Sequence, residues 1–369
     1  MSRPKTWFIN LIRCVSAMII LLIIKEFISP HNGVKKMVRG SQSIDRDIFA
    51  SKIETILRNT MDNLKRYRQQ KRGNLCKIYE MAKYEPHILA TNILPLNPAQ
   101  IDPDDVSLVL PCSTEKKYAV NKILERWSGP ASITVYLKNF SSVSLKSFIN
   151  YTWAAERNNV FLHAVTDDTL FFPVNYLRNV ALNNSKTTYS LLLDCDFLPS
   201  RNLYQYLKTK IAKWPHDKYA LVIPAFEYLL TNNSKFPRDK QELISEWEQK
   251  ALRPFHLENE KGAHQSTDFK RWKNTTEKYK ISKWKNDFEP YVVVKKKSLP
   301  QYDERFVGRW RNKMSFFYHL HILRYKFEVD PVSFVLHLPH PKQNYKIHNI
   351  GCSEKLYKSF KKSVKAPKT

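Results

Sequence analysis

Apolar residues recur along this chain in two alternating rhythms. Val106 to Pro111, Ile133 to Leu137, Val160 to Val165 and Leu191 to Leu193 are short continuous apolar runs, the form taken by strands buried on both faces of a sheet. Between them the spacing becomes helical. Val120, Ile123, Leu124 and Trp127 share one face of a helix that Ser113 or Thr114 can cap and Ser128-Gly129-Pro130 stops. A second helix is predicted near Leu145 to Glu156, and a third begins at Pro173 with Val174, Leu177 and Ala181 inward. The alternation continues through a helix at Leu203 to Lys213 and strands at Tyr219 to Pro224 and Val292 to Val294. A helix at Arg311 to Leu323 and a strand at Ser333 to Leu338 close it. Such alternation predicts an α/β fold with a mainly parallel sheet and ligand chemistry at its carboxyl edge. Thr231 to Asn286 breaks the rhythm, being polar, charged and dotted with tryptophan; it is expected to be a substrate-facing insertion.

The start of the chain follows a different pattern. After Arg3 and Lys5, Cys14 to Ile24 runs without a charge, and Trp7 to Ile24 is long enough to span a bilayer if Arg13 snorkels to the interface. A cleavable signal peptide is the rival, but no small-x-small site follows at Lys25 to Pro30, so an uncleaved signal anchor is expected. Flanking charges do not set its orientation. Five sequons, at Asn139, Asn150, Asn183, Asn232 and Asn274, favour a lumenal body and a type II secretory-pathway protein. Phe49, Ile53, Ile56, Leu57, Met61 and Leu64 fall at helical spacing, which predicts a stem helix that can pack on the globular domain or pair with a second chain as a homodimer. The chain therefore divides into tail and anchor over 1–30, stem over 31–102, globular domain over 103–361 and basic tail over 362–369.

Composition narrows this picture. The 369 residues are 43% hydrophobic with eight tryptophans, enough for a sizeable core. Only 7 glycines are present and no G-x-G-x-x-G or Walker pattern, which argues against a glycine-rich phosphate loop as the nucleotide site. The net charge of +27 admits nucleic acid, an anionic membrane surface or an acidic substrate. Lysine runs at Lys65 to Arg72, Lys295 to Lys297 and Lys355 to Lys368 read as solvated faces. The anchor and sequons set nucleic acid aside. Of five cysteines, Cys14 lies in the anchor, and Cys76, Cys112, Cys195 and Cys352 permit disulfides without specifying a pairing. No C-x-x-C pair exists, which argues against a zinc site.

Chemistry concentrates at Tyr189 to Ser200, where an apolar run ends in Asp194 and Asp196. If the strand stays extended, the two aspartates share one face and Cys195 takes the other. Two adjacent carboxylates repel unless a cation or hydrogen-bond donor lies beside them. A divalent metal holding a diphosphate satisfies that need, as in nucleotide-sugar transferases with an Asp-X-Asp motif.

Around this stretch the chain resembles glycosyltransferase family 49 over roughly Val106 to Phe360. The resemblance rests on Leu124 to Pro130, Pro173 to Ala181, Leu191 to Ser200, Phe288-Glu289-Pro290, and Tyr302 to Gly308 with Asn312-Lys313. It implies a GT-A (Rossmann-like) fold, a type II Golgi membrane enzyme, a UDP-sugar donor, a glycan or glycoprotein acceptor, Mn2+ and inversion at the anomeric carbon. UDP-glucuronate is the expected donor, with UDP-N-acetylglucosamine or UDP-xylose as alternatives. Asp196 is the first metal ligand, Asp194 ligates or orients the donor, and His337 looks like the third ligand, with His340 competing. Arg178 and Asn179 are expected at the donor nucleotide. Glu289 and Asp303 are the candidate bases, although either can be a structural carboxylate, for example paired with Arg305. The chain departs from the family pattern at Arg309-Trp310-Arg311, in a loop expected to border the donor sugar or acceptor, and at Phe288, where tryptophan is usual. The rival reading is a basic lumenal module that grips acidic glycans with a degenerate active site.

Overall fold

The computed structural model describes residues 76, 79, 80, 82, 87–94, 101–138, 142–154, 156–167, 171–229, 236–256, 261–339 and 350–365. In chain order they form β1 (Ile88–Ala90), β2 (Val106–Ser113), α1 (Lys117–Arg126), β3 (Ala131–Lys138), α2 (Ser142–Tyr151), β4 (Val160–Asp167), α3 (Val174–Asn184), β5 (Tyr189–Leu192) and β6 (Phe197–Pro199). There follow α4 (Leu203–Ile211), β7 (Tyr219–Ile223), β8 (Ala225–Tyr228), α5 (Lys240–Glu248), β9 (Leu252–Pro254), α6 (Lys261–His264), α7 (Phe269–Asn274) and β10 (Tyr279–Lys280). The described chain ends with β11 (Tyr291–Lys295), α8 (Asn312–Ile322), β12 (Lys326–Val329), β13 (Val335–His337) and α9 (Ile350–Ser363).

Nine strands make the main sheet in the order β1-β4-β3-β2-β5-β11-β7-β12-β10. The block β4-β3-β2-β5 is parallel, as the apolar runs predict. Beyond it the sheet is mixed, because β11 lies antiparallel between β5 and β7 and the edge strands β1 and β10 are antiparallel to their neighbours. The expectation of a mainly parallel sheet therefore holds for one half only. Alternate residues of the same strand feed two cores. Leu108, Leu110, Leu191, Leu193 and Val293 pack on one face with α1 and α4. Val109, Leu192, Val222 and Val292 pack on the other with Phe269, Trp272 and Phe316. This is why the runs are continuous: both faces are dry.

Two local expectations change. Ser113 precedes a short 3-10 turn over Thr114–Lys116 and makes no side-chain cap bond, so the strand leads into α1 without the predicted serine or threonine cap. The 231–286 stretch is less of an appendage than its polarity suggests. Trp272 and Phe269 on α7 are buried under the second core, and the Trp272 indole donates to the Asp330 carbonyl at 2.9 Å. The three described sequon asparagines, Asn150, Asn183 and Asn274, are exposed.

β1 falls within the stretch expected to be stem and pairs along β4, so the globular unit reaches back at least to Ile88. Farther back still, Cys76 forms a disulfide with Cys352 on α9, with a Cα–Cα distance of 5.1 Å. That bond fits an oxidising compartment. Cys352→Ser is expected to cost about 3 kcal/mol in denaturant unfolding, and the loss should be reproduced in wild type by adding reductant. Equal unfolding midpoints would show that the bridge carries no stability. The expected anchor, the stem helix and His340 lie outside the described residues. Among those that are described, no helix is long and apolar enough to cross a membrane.

Candidate active site

The two aspartates do not share one extended strand. β5 stops at Leu192, and the chain turns through Cys195 and Asp196, with the Phe197 N–H donating to the Asp194 carbonyl at 3.1 Å. It then enters a second sheet, ordered β6-β13-β8-β9. The turn aims the two carboxylates at different partners. This overturns the common face expected for Asp194 and Asp196.

Asp194 closes a cluster of cations. Its Oδ1 accepts from Arg178 Nη2 at 2.9 Å, and its Oδ2 accepts from Lys313 Nζ at 3.1 Å and from the Tyr291 hydroxyl at 3.0 Å. The side chains of Arg178 and Lys313 are only 8% and 9% exposed. Burial pushes the Asp194 carboxyl up, but Lys313 and Arg178 outweigh it and hold the group well below the usual carboxylate range. Tyr291 is driven the other way. Burial and the neighbouring Asp194 charge raise its hydroxyl well above the ordinary value, so it stays a donor. Asp194 is thus a hub for side chains, with both carboxylate oxygens engaged by protein donors.

Asp196 sits differently. Its Oδ2 accepts from Lys116 Nζ at 3.2 Å and faces His337 Nε2 at 3.9 Å. The second sheet makes that meeting: β13 pairs antiparallel with β6, placing His337 opposite Phe197, and the Leu338 N–H donates to the Asp196 carbonyl at 2.7 Å. Phe197 and Phe255 flank the imidazole, their ring centroids 5.1 and 5.2 Å away. Among the described residues no cluster of three or more histidine, cysteine or acidic side chains is assembled. The pair of a carboxylate and an imidazole fits a dication whose remaining positions are filled by substrate oxygens and water.

The expected donor residues separate as well. Arg178 points into the Asp194 cluster and donates to Asn175 and Asn312, each at 2.9 Å. Asn179 is committed to structure, its amide exchanging hydrogen bonds with the Tyr302 backbone at 2.9 and 2.8 Å and donating to Glu304 at 2.7 Å. Asn175 adds bonds to the carbonyls of Asp303 and Asn312. The Pro173-to-Ala181 motif and the Tyr302-to-Lys313 motif are thus two halves of one joint. Both polar atoms of the Asn179 amide are engaged within this joint.

Of the two candidate bases, Asp303 is gripped by Arg305, whose Nε lies 2.8 and 3.0 Å from its two carboxylate oxygens, the structural pairing that was its alternative. Glu289 acts electrostatically on both Arg178 and Tyr291, so it belongs to the Asp194 neighbourhood. Arg309-Trp310-Arg311 also has a structural task. Trp310 and Arg311 adopt φ of 79° and 59°, a left-handed stretch that turns both side chains onto α9. There the Trp310 indole and Arg311 Nε donate to Glu354 at 2.5 and 2.7 Å, and Arg311 also pairs with Asp287. The stretch that departs from the family pattern latches the last helix.

Lys116, Tyr291 and His264 were not singled out from the sequence, and Lys313 appeared only as part of a motif. Lys116 and Asp196 are 80 residues apart, and only the pairing of β2 with β5 brings them together. His264 is buried to 2% exposure near Tyr291, its Nε2 unpartnered among the described residues, and burial lowers its pKa well below the ordinary value, so it is neutral.

An α/β sheet carrying a carboxylate–imidazole pair and a buried cation cluster at the end of a parallel strand presents fixed positive charge suited to an anionic ligand. The family described as "Glycosyl-transferase for dystroglycan" matches residues 152–366, more than half of the chain, and the chain belongs to it. Xylosyl- and glucuronyltransferase LARGE2s of Gallus gallus is 40% identical over 245 residues, which make up 65% of this chain and 32% of that protein. Xylosyl- and glucuronyltransferase LARGE1 of Homo sapiens is 34% identical over 245 residues, with the same shares. The chain spans about a third of the length of these curated relatives. The crystal structure of S. aureus TarS 1-349 in complex with UDP-GlcNAc superposes with a TM-score of 0.43 and 12% identity, covering 70% of this chain and 67% of that one. At that level of likeness neither fold nor ligand is carried over.

Proposed function

We propose that this chain is a membrane-anchored, manganese-dependent transferase of GT-A fold, which moves glucuronic acid from UDP-glucuronate, with inversion, to a non-reducing sugar of a protein-linked glycan in the Golgi lumen. The observation that carries the reading is the meeting of Asp196 and His337 beside the Arg178–Asp194–Lys313 cluster. Family membership supports the transferase class, and the relatives' name, xylosyl- and glucuronyltransferase, supports the donor. The same name keeps UDP-xylose as the second reading.

Each residue then has a task. Asp196 and His337 hold the dication, which when bound stabilises the charge of the departing UDP. Arg178 and Lys313 are held in place by Asp194 and supply fixed positive charge where a carboxylate-bearing sugar would lie. Tyr291 fixes the second oxygen of Asp194. Glu289 takes the proton of the attacking hydroxyl, the role that Asp303, bound to Arg305, is poorly placed to fill. The basic surface favours an anionic acceptor.

A panel of UDP-sugars tests the reading. With the full chain in detergent and Mn2+ present, UDP release from UDP-glucuronate should exceed release from UDP-xylose and UDP-N-acetylglucosamine. Preference for another sugar would move the donor. No turnover and no Mn2+-dependent UDP binding would favour the inactive glycan-binding module.

A further inference from the structure

The oxygen of Asp196 that faces His337 is already in use. Lys116 Nζ lies 3.2 Å from Oδ2, the same atom that stands 3.9 Å from His337 Nε2. Neither Lys116 nor Asp196 is a freely solvated surface group, their side chains being 18% and 21% exposed. The lysine is also fixed at its base. It ends the 3-10 turn that follows β2 directly, at the carboxyl edge of the parallel block, where such sheets bind their ligands.

An ammonium and a metal ion drawn to one carboxylate oxygen repel each other, and the repulsion grows as the site is shielded from water. We infer that Lys116 is a built-in counter-cation of the metal site. It holds Asp196 in place while no metal is bound, competes with the incoming ion, and on loading gives up the carboxylate and turns to the donor diphosphate. The inference rests on the metal reading above and adds a residue and an exchange to it.

Three features favour exchange over a permanent pair. A lysine head is a compact charge on a flexible stem with rotatable donors, suited to changing partners without moving backbone. The diphosphate brought by the metal is the anion at hand for the displaced ammonium, so the lysine trades one charged acceptor for another. Asp194 presents the contrast. Its cations, Arg178 and Lys313, are buried and cross-braced by Asn175, Asn312 and the Tyr291 ring, so they stay when ligand arrives.

Lys116→Met separates the two roles, because they predict opposite signs. Calorimetry with Mn2+ alone on the full chain should show binding about fivefold tighter than wild type, since the competitor is gone. UDP titrated at saturating Mn2+ should bind about tenfold more weakly, since a charge-assisted phosphate contact is lost. Lys116→Arg keeps the charge and should leave Mn2+ affinity near wild type, and it reports on the site if the methionine form does not fold. Mn2+ affinity that is unchanged or weaker in Lys116→Met, or unchanged UDP affinity, overturns the inference while leaving the metal reading intact. No Mn2+ binding by either form overturns both.

Discussion

Asp196→Asn is expected to lower sugar transfer about a thousandfold, because on the proposed reading a metal-held diphosphate would supply several kcal/mol of leaving-group stabilisation. The fold should survive. Asp196 and its partner Lys116 are both partly exposed, and a pair of that kind contributes about 1 kcal/mol at most. The backbone carbonyl that receives Leu338 is untouched by the change. The decisive measurement sets UDP release beside the thermal unfolding midpoint of the same preparation. Retained turnover in a folded variant would remove Asp196 from the metal site.

The neighbouring acid behaves in the opposite way. Asp194→Asn strips the charge that neutralises Arg178 and Lys313, both buried, and a buried cation left without its partner is costly, on the order of 3 kcal/mol. The variant should unfold at clearly lower denaturant, and its inactivity would follow from that. The sign with pH is fixed by the direction of the shift. Burial raises the Asp194 carboxyl, but Lys313 and Arg178 bring it below its unfolded value. Its contribution is then fully present above the ordinary carboxylate range and is lost as pH falls through that range toward the depressed folded value. The stability gap between wild type and variant should therefore be constant near neutrality and shrink below about pH 4. A gap that widens on acidification, or no gap at pH 7, would contradict the hub.

Two aspartates separated by one residue thus differ in kind, and sequence spacing alone could not say so. What was legible followed from burial: β2, β3, β4, β5 and β7 each overlap the apolar run that announces them, and α3 starts after Pro173 as expected. What was not legible depended on partners far along the chain. Alternation assumes an extended strand, but the peptide leaves the main sheet after Leu192 and turns to pair with β13. The antiparallel insertion of β11 gives no local signal, since a strand buried on both faces reads the same in either direction. The mixed 231–286 stretch hid Trp272, whose burial comes from the sheet face it covers. Asn179 and Asp303 were singled out for chemistry because they lie in motifs, and the partners that hold them, the Tyr302 backbone with Glu304 and Arg305, could not be read from spacing.

The second sheet also acts as a gauge. β13 is held on both sides, antiparallel to β6 and parallel to β8, and its residues alternate between one core at Val335 and the other at Leu336. A slip of one residue would swap those faces, present a leucine to Asp196 and send His337 toward apolar packing. The distance between carboxylate and imidazole is therefore set by counting along two strands, so one residue inserted between Phe334 and His337 should part the pair as thoroughly as removing either side chain.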